Sequence, residues 1–325
     1  TQNNCPTGAR EVVGHMATKA RMEFGYNPPA GDRGLEVIVP RGYLGDLHRA
    51  LDVASQGFTS LWVSDHLNYA DEWRVECWTL LTWIAARYPG PELGTIVMSN
   101  SFRQPSILAK MAASLHEMSS GRFILGYGAG WHEGEHKAYG LEYPSPRQRI
   151  EMFEEGVQII KTMWTDSPAS FSGEYYTIEN AYSEPRPDPL PPLMLGGGGE
   201  KLTLGVVARH ADWWNDVSRT VEVHQRKLDA LKGHCEAAGR DYDSIRKTLT
   251  HRIFIDRDNA KARQRGEDWA AGGDQRAIAG DPRAVIEQFE ELAEMGFDLC
   301  IATFPDFQSL DDMKLFMETV VPALA

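Results

Sequence analysis

Short apolar runs alternate with amphipathic stretches along the whole chain, and that alternation restricts the kind of sheet the chain can build. Met22-Glu23-Phe24-Gly25-Tyr26, Ser60 to Ser64, Thr95 to Met98 and Arg122 to Tyr127 read as strands, and Pro192 to Leu195, Ala211 to Asn215, Thr248 to Ile255 and Asp298 to Phe304 read as four more. Helical spacing between such runs points to parallel strands, because a parallel neighbour can be reached only through a long crossover connection. Eight strands, each followed by helix, is the number that closes a (β/α)8 TIM barrel of the α/β class. The rival is an open doubly wound sheet. That fold carries its glycine-rich turn after the first strand, whereas here the glycine cluster follows the fifth.

The helices carry their own punctuation. Asp46 is expected to cap a helix with Leu47, Leu51 and Ala54 inside, ended by Gly57. The helix after the third strand spaces Ile107, Met111, Leu115 and Met118 as an inner stripe and stops near Gly121. Ser145-Pro146-Arg147-Gln148 combines a capping box with proline at the first helical position, and Ile150, Phe153, Val157, Ile160 and Trp164 form that helix's inner face. Lys201 to His210 reads as the helix after the fifth strand, and Asp281-Pro282 opens one that closes at Gly296 with Ile286, Phe289 and Leu292 inside. Between strands four and five the chain makes an excursion. Phe171 to Ile178 reads as a hairpin around Ser172-Gly173, and the five prolines from Pro185 to Pro192 rule out regular structure there. Such insertions commonly shape active sites.

The chain has 325 residues, enough for one barrel with insertions. The reading is one domain over 21–325 after a polar tail over 1–20, in which Gly14-His15-Met16 looks like a cloning scar. A net charge of −13 argues against nucleic acid or an anionic membrane as partner and leaves small molecules. It leaves room for an anionic cofactor, because backbone N–H groups can bind phosphate against the global field. Cys5, Cys77, Cys235 and Cys300 form no C-x-x-C pair or zinc pattern and read as isolated reduced thiols of a cytoplasmic protein. No apolar run approaches the roughly 20 residues of a membrane span, and no secretory h-region is visible at the N-terminus.

Three segments can carry chemistry. Gly196, Gly197, Gly198 and Gly199 lie between a strand end and a helix start, where glycine lets backbone approach a phosphate. The offsets of a P-loop are absent. Asp65-His66 stands at the C-terminal end of the second strand, where barrel side chains face the site and a histidine can exchange a proton. The same pair also fits a helix cap beside a surface histidine, and spacing does not separate the two. Gly126 to His136 leaves room above the fourth strand, with Trp131, His132 and His136 placed to wall a substrate pocket. His132, Glu135 and His136 follow the order H-x-x-E-H, but Gly134 and the glycines upstream work against a rigid metal-binding helix, so no metal is assigned. There is no G-x-S-x-G nucleophile elbow.

Together these segments resemble the luciferase-like monooxygenase superfamily, and more closely its branch that uses the deazaflavin coenzyme F420. The resemblance rests on Trp62 to His66, Gly94-Thr95 through Ser101-Phe102-Arg103-Gln104-Pro105, Ala109 to Ala112 and Ser120 to Phe123. It continues through Leu125-Gly126 to Trp131, Glu135 to Gly140, the glycine run and Gly280-Asp281-Pro282. It implies a luciferase-like barrel acting as a homodimer, F420 or alternatively FMN as cofactor, and hydride transfer to or from a small organic substrate. It further implies a non-prolyl cis peptide at Ile96–Val97, with Asp65, Ser99, Gly128, Gly130 and Trp131 lining the cofactor, His66 near the reacting carbon, and Gly196 to Gly199 on its phosphate. Sugar-phosphate dehydrogenases of that branch carry a tryptophan four residues after the histidine and a glutamate after the G-x-G turn. This chain has Ala70 and Trp131 there, so the sugar-phosphate reaction is not carried over. An FMNH2-dependent monooxygenase and a non-catalytic flavin-binding accessory protein are the alternatives. The intact Asp65-His66 pair weighs against the second.

Overall fold

The computed structural model describes residues 21–31, 42–69, 71–270 and 276–324. The tail over 1–20 with Cys5 and Gly14-His15-Met16, part of the loop after the first strand, and Ala70 lie outside the described residues. Eight parallel strands form the barrel. They are β1 (Glu23–Tyr26), β2 (Ser60–Val63), β3 (Glu92–Thr95), β4 (Phe123–Gly128), β5 (Leu193–Gly196), β6 (Trp213–Val217), β7 (Arg246–Ile255) and β8 (Leu299–Thr303). Each pairs with its neighbour in sequence, and β8 closes the ring on β1 with Glu23 opposite Leu299. The surrounding helices are α1 (Tyr43–Ala54), α2 (Cys77–Arg87), α3 (Pro105–Met118), the short α4 (Glu133–Ala138), α5 (Pro146–Thr165), α6 (Thr203–His210), α7 (Val221–Ala238), α8 (Asn259–Ala270), α9 (Pro282–Glu294) and α10 (Asp311–Thr319). The excursion before β5 is a hairpin of Ala169–Ser172 with Thr177–Ala181, as expected.

The core has two layers. Trp62, Ile124, Met194, Leu299 and Ile301 fill the lumen. The indole of Trp62 fits there because β1 and β3 each present a glycine to it. A Cβ on Gly25 or Gly94 would come within 2.5 or 2.1 Å of the ring. Trp62 Nε1 donates to Ser60 Oγ at 2.8 Å, so its polar edge is satisfied. Outside the strands, Phe24 packs edge-on against Phe289 of α9 and Phe316 of α10, at 5.1 and 5.0 Å. A packed lumen leaves only the rim of the barrel for ligands.

Four local expectations are corrected. β3 begins at Glu92 and ends at Thr95, while the Ile96–Val97 peptide is cis, as the resemblance implies. The apolar run therefore leaves the ladder, and Met98–Ser99 pairs separately with Tyr127 and Gly128. α1 starts at Tyr43, a turn earlier than Asp46, with Gly42 in left-handed backbone (φ 98°) before it; Asp46 lies within the helix, held 2.6 Å from Arg49. On α3, Ile107 and Met118 are 60% and 85% exposed. The buried stripe is Leu108, Ala109, Ala112 and Leu115, because the small alanines let α5 approach closely. α6 starts at Thr203, and Lys201 and Leu202 form a turn. The capping box of Ser145 and Gln148 on α5 is formed as read.

Glu154 of α5 fastens the end of α6. Its carboxylate takes Arg209 Nε at 2.7 Å, Arg209 Nη2 at 2.9 Å and His210 Nε2 at 2.9 Å. The hydrogen bond from His210, opposed by burial and aided by Arg209, lowers its pKa to about 2. A depressed carboxylate contributes stability above its unfolded pKa that is lost as pH falls through the folded value. Glu154→Gln is therefore expected to cost on the order of 1–2 kcal/mol at pH 7, discounted for partial exposure, and to flatten the loss of stability between pH 5 and pH 2.5. Urea melts across that range check it. Parallel pH slopes for the two proteins would remove the linkage.

Candidate active site

Two cavities open on the C-terminal rim of the barrel. One, of about 730 Å³, runs along the ends of β2 to β6. The other, of about 480 Å³, sits over the ends of β1, β2, β7 and β8. His66 and Trp131 line both. The larger cleft gathers Asp65, Ile96, Val97, Ser99, Gly128, Gly130, His132 and the whole Gly196 to Gly199 run, residues that four different strand ends bring together. His136 is not among them. It is fully buried, with Nδ1 on His132 O at 2.8 Å and Nε2 on Ser101 Oγ at 2.7 Å, so it packs behind the residues that line the cleft.

Asp65 anchors the β2 end of this rim. Its buried carboxylate accepts the Ser99 N–H at 2.8 Å and both Nη groups of Arg103, at 2.7 and 3.1 Å. Arg103 also reaches Glu76 at 2.7 Å, and Glu76 caps α2 by accepting from Trp78 N and Thr79 N. Asp65 thus fixes the segment from Ile96 to Ser99 relative to β2. Nearby, Gly130 holds left-handed backbone (φ 77°), and a Cβ there would come within 2.4 Å of the Ser99 and Ser101 hydroxyls.

The next residue, His66, is held from both ring nitrogens. Nδ1 lies 2.9 Å from Glu135 Oε2 and Nε2 lies 2.6 Å from the Tyr69 hydroxyl. Burial would raise the pKa of Glu135. The hydrogen bond and charge of His66 and the N–H groups of Asn68 and Leu67 outweigh it and leave the carboxyl below its ordinary range. An ionised carboxylate can only accept, so Nδ1–H donates to Glu135, and an Nε2 that carries no proton accepts a hydrogen bond from the Tyr69 hydroxyl. Glu135 and Tyr69 thus fix the orientation of the His66 ring. His132, Glu135 and His136 do not converge. Glu135 turns to His66 and His136 to Ser101, and no group of three or more metal-ligating side chains occurs among the described residues.

The far end of the cleft is the glycine run. Gly197 adopts φ 130°, and a Cβ on Gly198 would meet Lys227 Nζ at 2.2 Å. Lys227 of α7 is held by Asp216 at 2.7 and 2.9 Å, and Asp216 is also 3.2 Å from His224 Nδ1. Arg219 and Arg226 line the same end. Arg226 is paired in turn with Glu200 at 2.8 Å, so the features here that suit phosphate are the glycine backbone and cations whose positions are already fixed. In the middle of the cleft, Cβ atoms on Gly128 or Gly196 would each come within 2.7 Å of a Val97 methyl. The absence of side chains at these two positions leaves Val97 as an apolar backstop.

The sequence profile of the luciferase-like monooxygenase family matches residues 22–274. The chain belongs to that family. Among curated relatives, the F420-dependent glucose-6-phosphate dehydrogenase of Kineococcus radiotolerans is 30% identical over 280 residues, spanning 83% of this chain and 80% of that protein. Among solved structures, an F420-dependent secondary alcohol dehydrogenase in complex with an F420-acetone adduct superposes with a TM-score of 0.81 at 21% identity, covering 94% of this chain and 99% of that one. The oxygenating constituent of 3,6-diketocamphane monooxygenase from Pseudomonas putida, in complex with FMN, superposes with a TM-score of 0.73 at 15% identity, covering 94% and 99%. These two likenesses bear on the fold of this luciferase-like chain.

Several contributors have no local signal in the sequence. Lys227, Asp216 and Tyr69 were not singled out by any motif, and Glu135 stood out only as a metal ligand. Its partnership with His66 spans 69 residues of chain. Because Asp65 is buried and Arg103 is its one cationic partner among the described residues, removing Arg103 strands the carboxylate, at a cost of about 3–5 kcal/mol, whereas Arg103 without Asp65 still has Glu76. Asp65→Asn combined with Arg103→Met is expected to be less destabilised than the sum of the two single variants. Chemical denaturation of all four proteins measures this, and strict additivity would contradict the pairing.

Proposed function

We propose that this protein transfers a hydride between coenzyme F420 and a small organic substrate, with His66 exchanging the accompanying proton. The observation that carries this is the meeting of the two cavities at His66 and Trp131, one shaped for an anionic cofactor and the other left for a substrate. The larger cleft fits F420. Gly196 to Gly199 with Arg226 and Lys227 would hold its phosphate, and Val97, between Gly128 and Gly196, would back its ring. When bound, F420 supplies a two-electron hydride acceptor or donor. The chain's own part is to orient the substrate and to hold or release a proton at His66 Nε2, with Glu135 bearing the charge that develops on the ring. Glucose 6-phosphate, the substrate named for the curated relatives, is not adopted, since Trp131 occupies the divider between the cavities.

We further infer a homodimer, with the exposed Ile107 and Met118 of α3 as candidate contacts, and a reducing cytoplasmic setting, in keeping with the buried free thiols of Cys77, Cys235 and Cys300. No helix among the described residues is long and apolar enough to cross a membrane.

Titrating the purified protein into F420 and following its fluorescence tests the assignment. Saturable quenching is expected, with weaker binding of FMN. The reverse order, with oxygen uptake in the presence of FMNH2, would move the protein to the monooxygenases. His66→Ala is expected to lower kcat by about 10²–10⁴-fold while F420 affinity stays within a few-fold, and Glu135→Gln to show a smaller loss in the same direction. Unchanged kcat in His66→Ala would remove its assigned role.

A further inference from the structure

We infer that the smaller cavity is a site for an organic oxyanion, so that the substrate is an alcohol or carbonyl compound carrying a carboxylate or a phosphate. This deepens the reading above and rests on it for the chemistry, but not for the binding site itself. Two guanidinium groups enter this cavity from different elements, Arg74 from the segment before α2 and Arg252 from β7. In a chain of net charge −13, no described residue lining the cavity is acidic. The charged side chains of the described lining are thus these two arginines, and Glu72 is the carboxylate that stands beside Arg74.

Arg74 is the decisive residue. Its side chain is only 6% exposed, and its nearest carboxylate, Glu72, lies 3.5 Å from Nη2, too long for a strong hydrogen bond. Its Nε is buried with no hydrogen-bond partner. A buried guanidinium is costly unless its fork is satisfied, and a two-oxygen acceptor is its natural complement. The group is also preplaced. The backbone of Arg74 bridges to Gly31, and its Cζ stacks 5.1 Å over the Tyr69 ring. Across the cavity Arg252 stacks 4.9 Å over Trp269. Aromatic faces beside the two guanidinium groups suit the carbon body of a substrate, and Tyr69 also touches His66 Nε2. An anion gripped at Arg74 thus has its uncharged end near the proton-exchanging group. The reaction would remove hydride from an alcohol carbon to F420 and its hydroxyl proton to His66, giving the carbonyl compound and reduced F420, or run in reverse.

The test is calorimetric titration of F420-loaded protein with benzoate, phenyl phosphate and neutral benzamide. At least one anion is expected to bind 10-fold or more tightly than benzamide, and the better of the two assigns carboxylate or phosphate. Arg74→Met is expected to weaken that anion by at least 10-fold with benzamide and F420 affinity unchanged, and Arg74→Lys to recover part of the loss. Equal affinity for charged and neutral probes, no binding of either anion, or an Arg74→Met effect that falls equally on benzamide would overturn the inference. If wild-type protein fails to bind F420, the cofactor reading fails, and the same titration on the protein alone still decides the anion site.

Discussion

The rim of the barrel is organised around one buried charge. The Asp65 carboxylate ties the end of β2 to the backbone of Ser99 and to the guanidinium of Arg103. Through Glu76 the same arginine reaches the first turn of α2. Three pieces of chain, the end of β2, the first turn of α2 and the segment from Ser99 to Arg103, are thereby set against each other. Such a network is weak evidence for raw stability, because desolvating the ions offsets their attraction. Its consequence here is positional. His66 follows Asp65 directly, and Ile96 and Val97 lie just before Ser99, so His66 and the apolar Val97 are both fixed to the same carboxylate.

The lumen makes the complementary demand. Trp62 occupies it only because Gly25 and Gly94 bear no side chains, and once occupied it cannot admit a ligand. Function is displaced to the strand ends, and there the sequence uses glycine again, at 128, 130 and 196 to 199, to keep space open where the lumen is full. The same residue type thus serves packing at one level of the barrel and vacancy one level higher.

What could be read in the sequence was what is local. The glycine run falls at the end of a strand, the capping box of α5 spans four consecutive residues, and the strand count follows from short-range periodicity. The misreadings have the same origin. On α3 the bulky Ile107 and Met118 were placed inside, but tight helix packing there uses alanine, and hydrophobicity alone does not reveal which face a neighbour covers. The run from Thr95 to Met98 is apolar enough for a strand, yet Ile96 and Val97 are apolar because they face the cleft. His136 and Glu135 are adjacent in α4 and point to different partners, Ser101 and His66, which the spacing of H-x-x-E-H does not reveal. Lys227, Tyr69 and Arg74 acquire their roles from tertiary contact alone, and no spacing rule could have marked them.

The geometry at His66 also bears on the kind of redox chemistry the site favours. Interconverting an alcohol and a carbonyl compound moves a hydride on carbon and a proton on oxygen, and the two must leave from adjacent atoms. His66 lines both cavities and is held by Glu135 at Nδ1 and by the Tyr69 hydroxyl, 2.6 Å away, at Nε2. A positive ring forming there is matched by a carboxylate already held ionised by its backbone and histidine contacts. On the proposed reading, the arrangement would stabilise proton gain at a fixed point on the boundary between the two cavities, as hydride transfer to a carbonyl carbon requires. An oxygen-inserting reaction would place its main demand on the cofactor side of that boundary. Here the built machinery stands on the boundary itself, and that placement is what favours the dehydrogenase reading within a family that supports both.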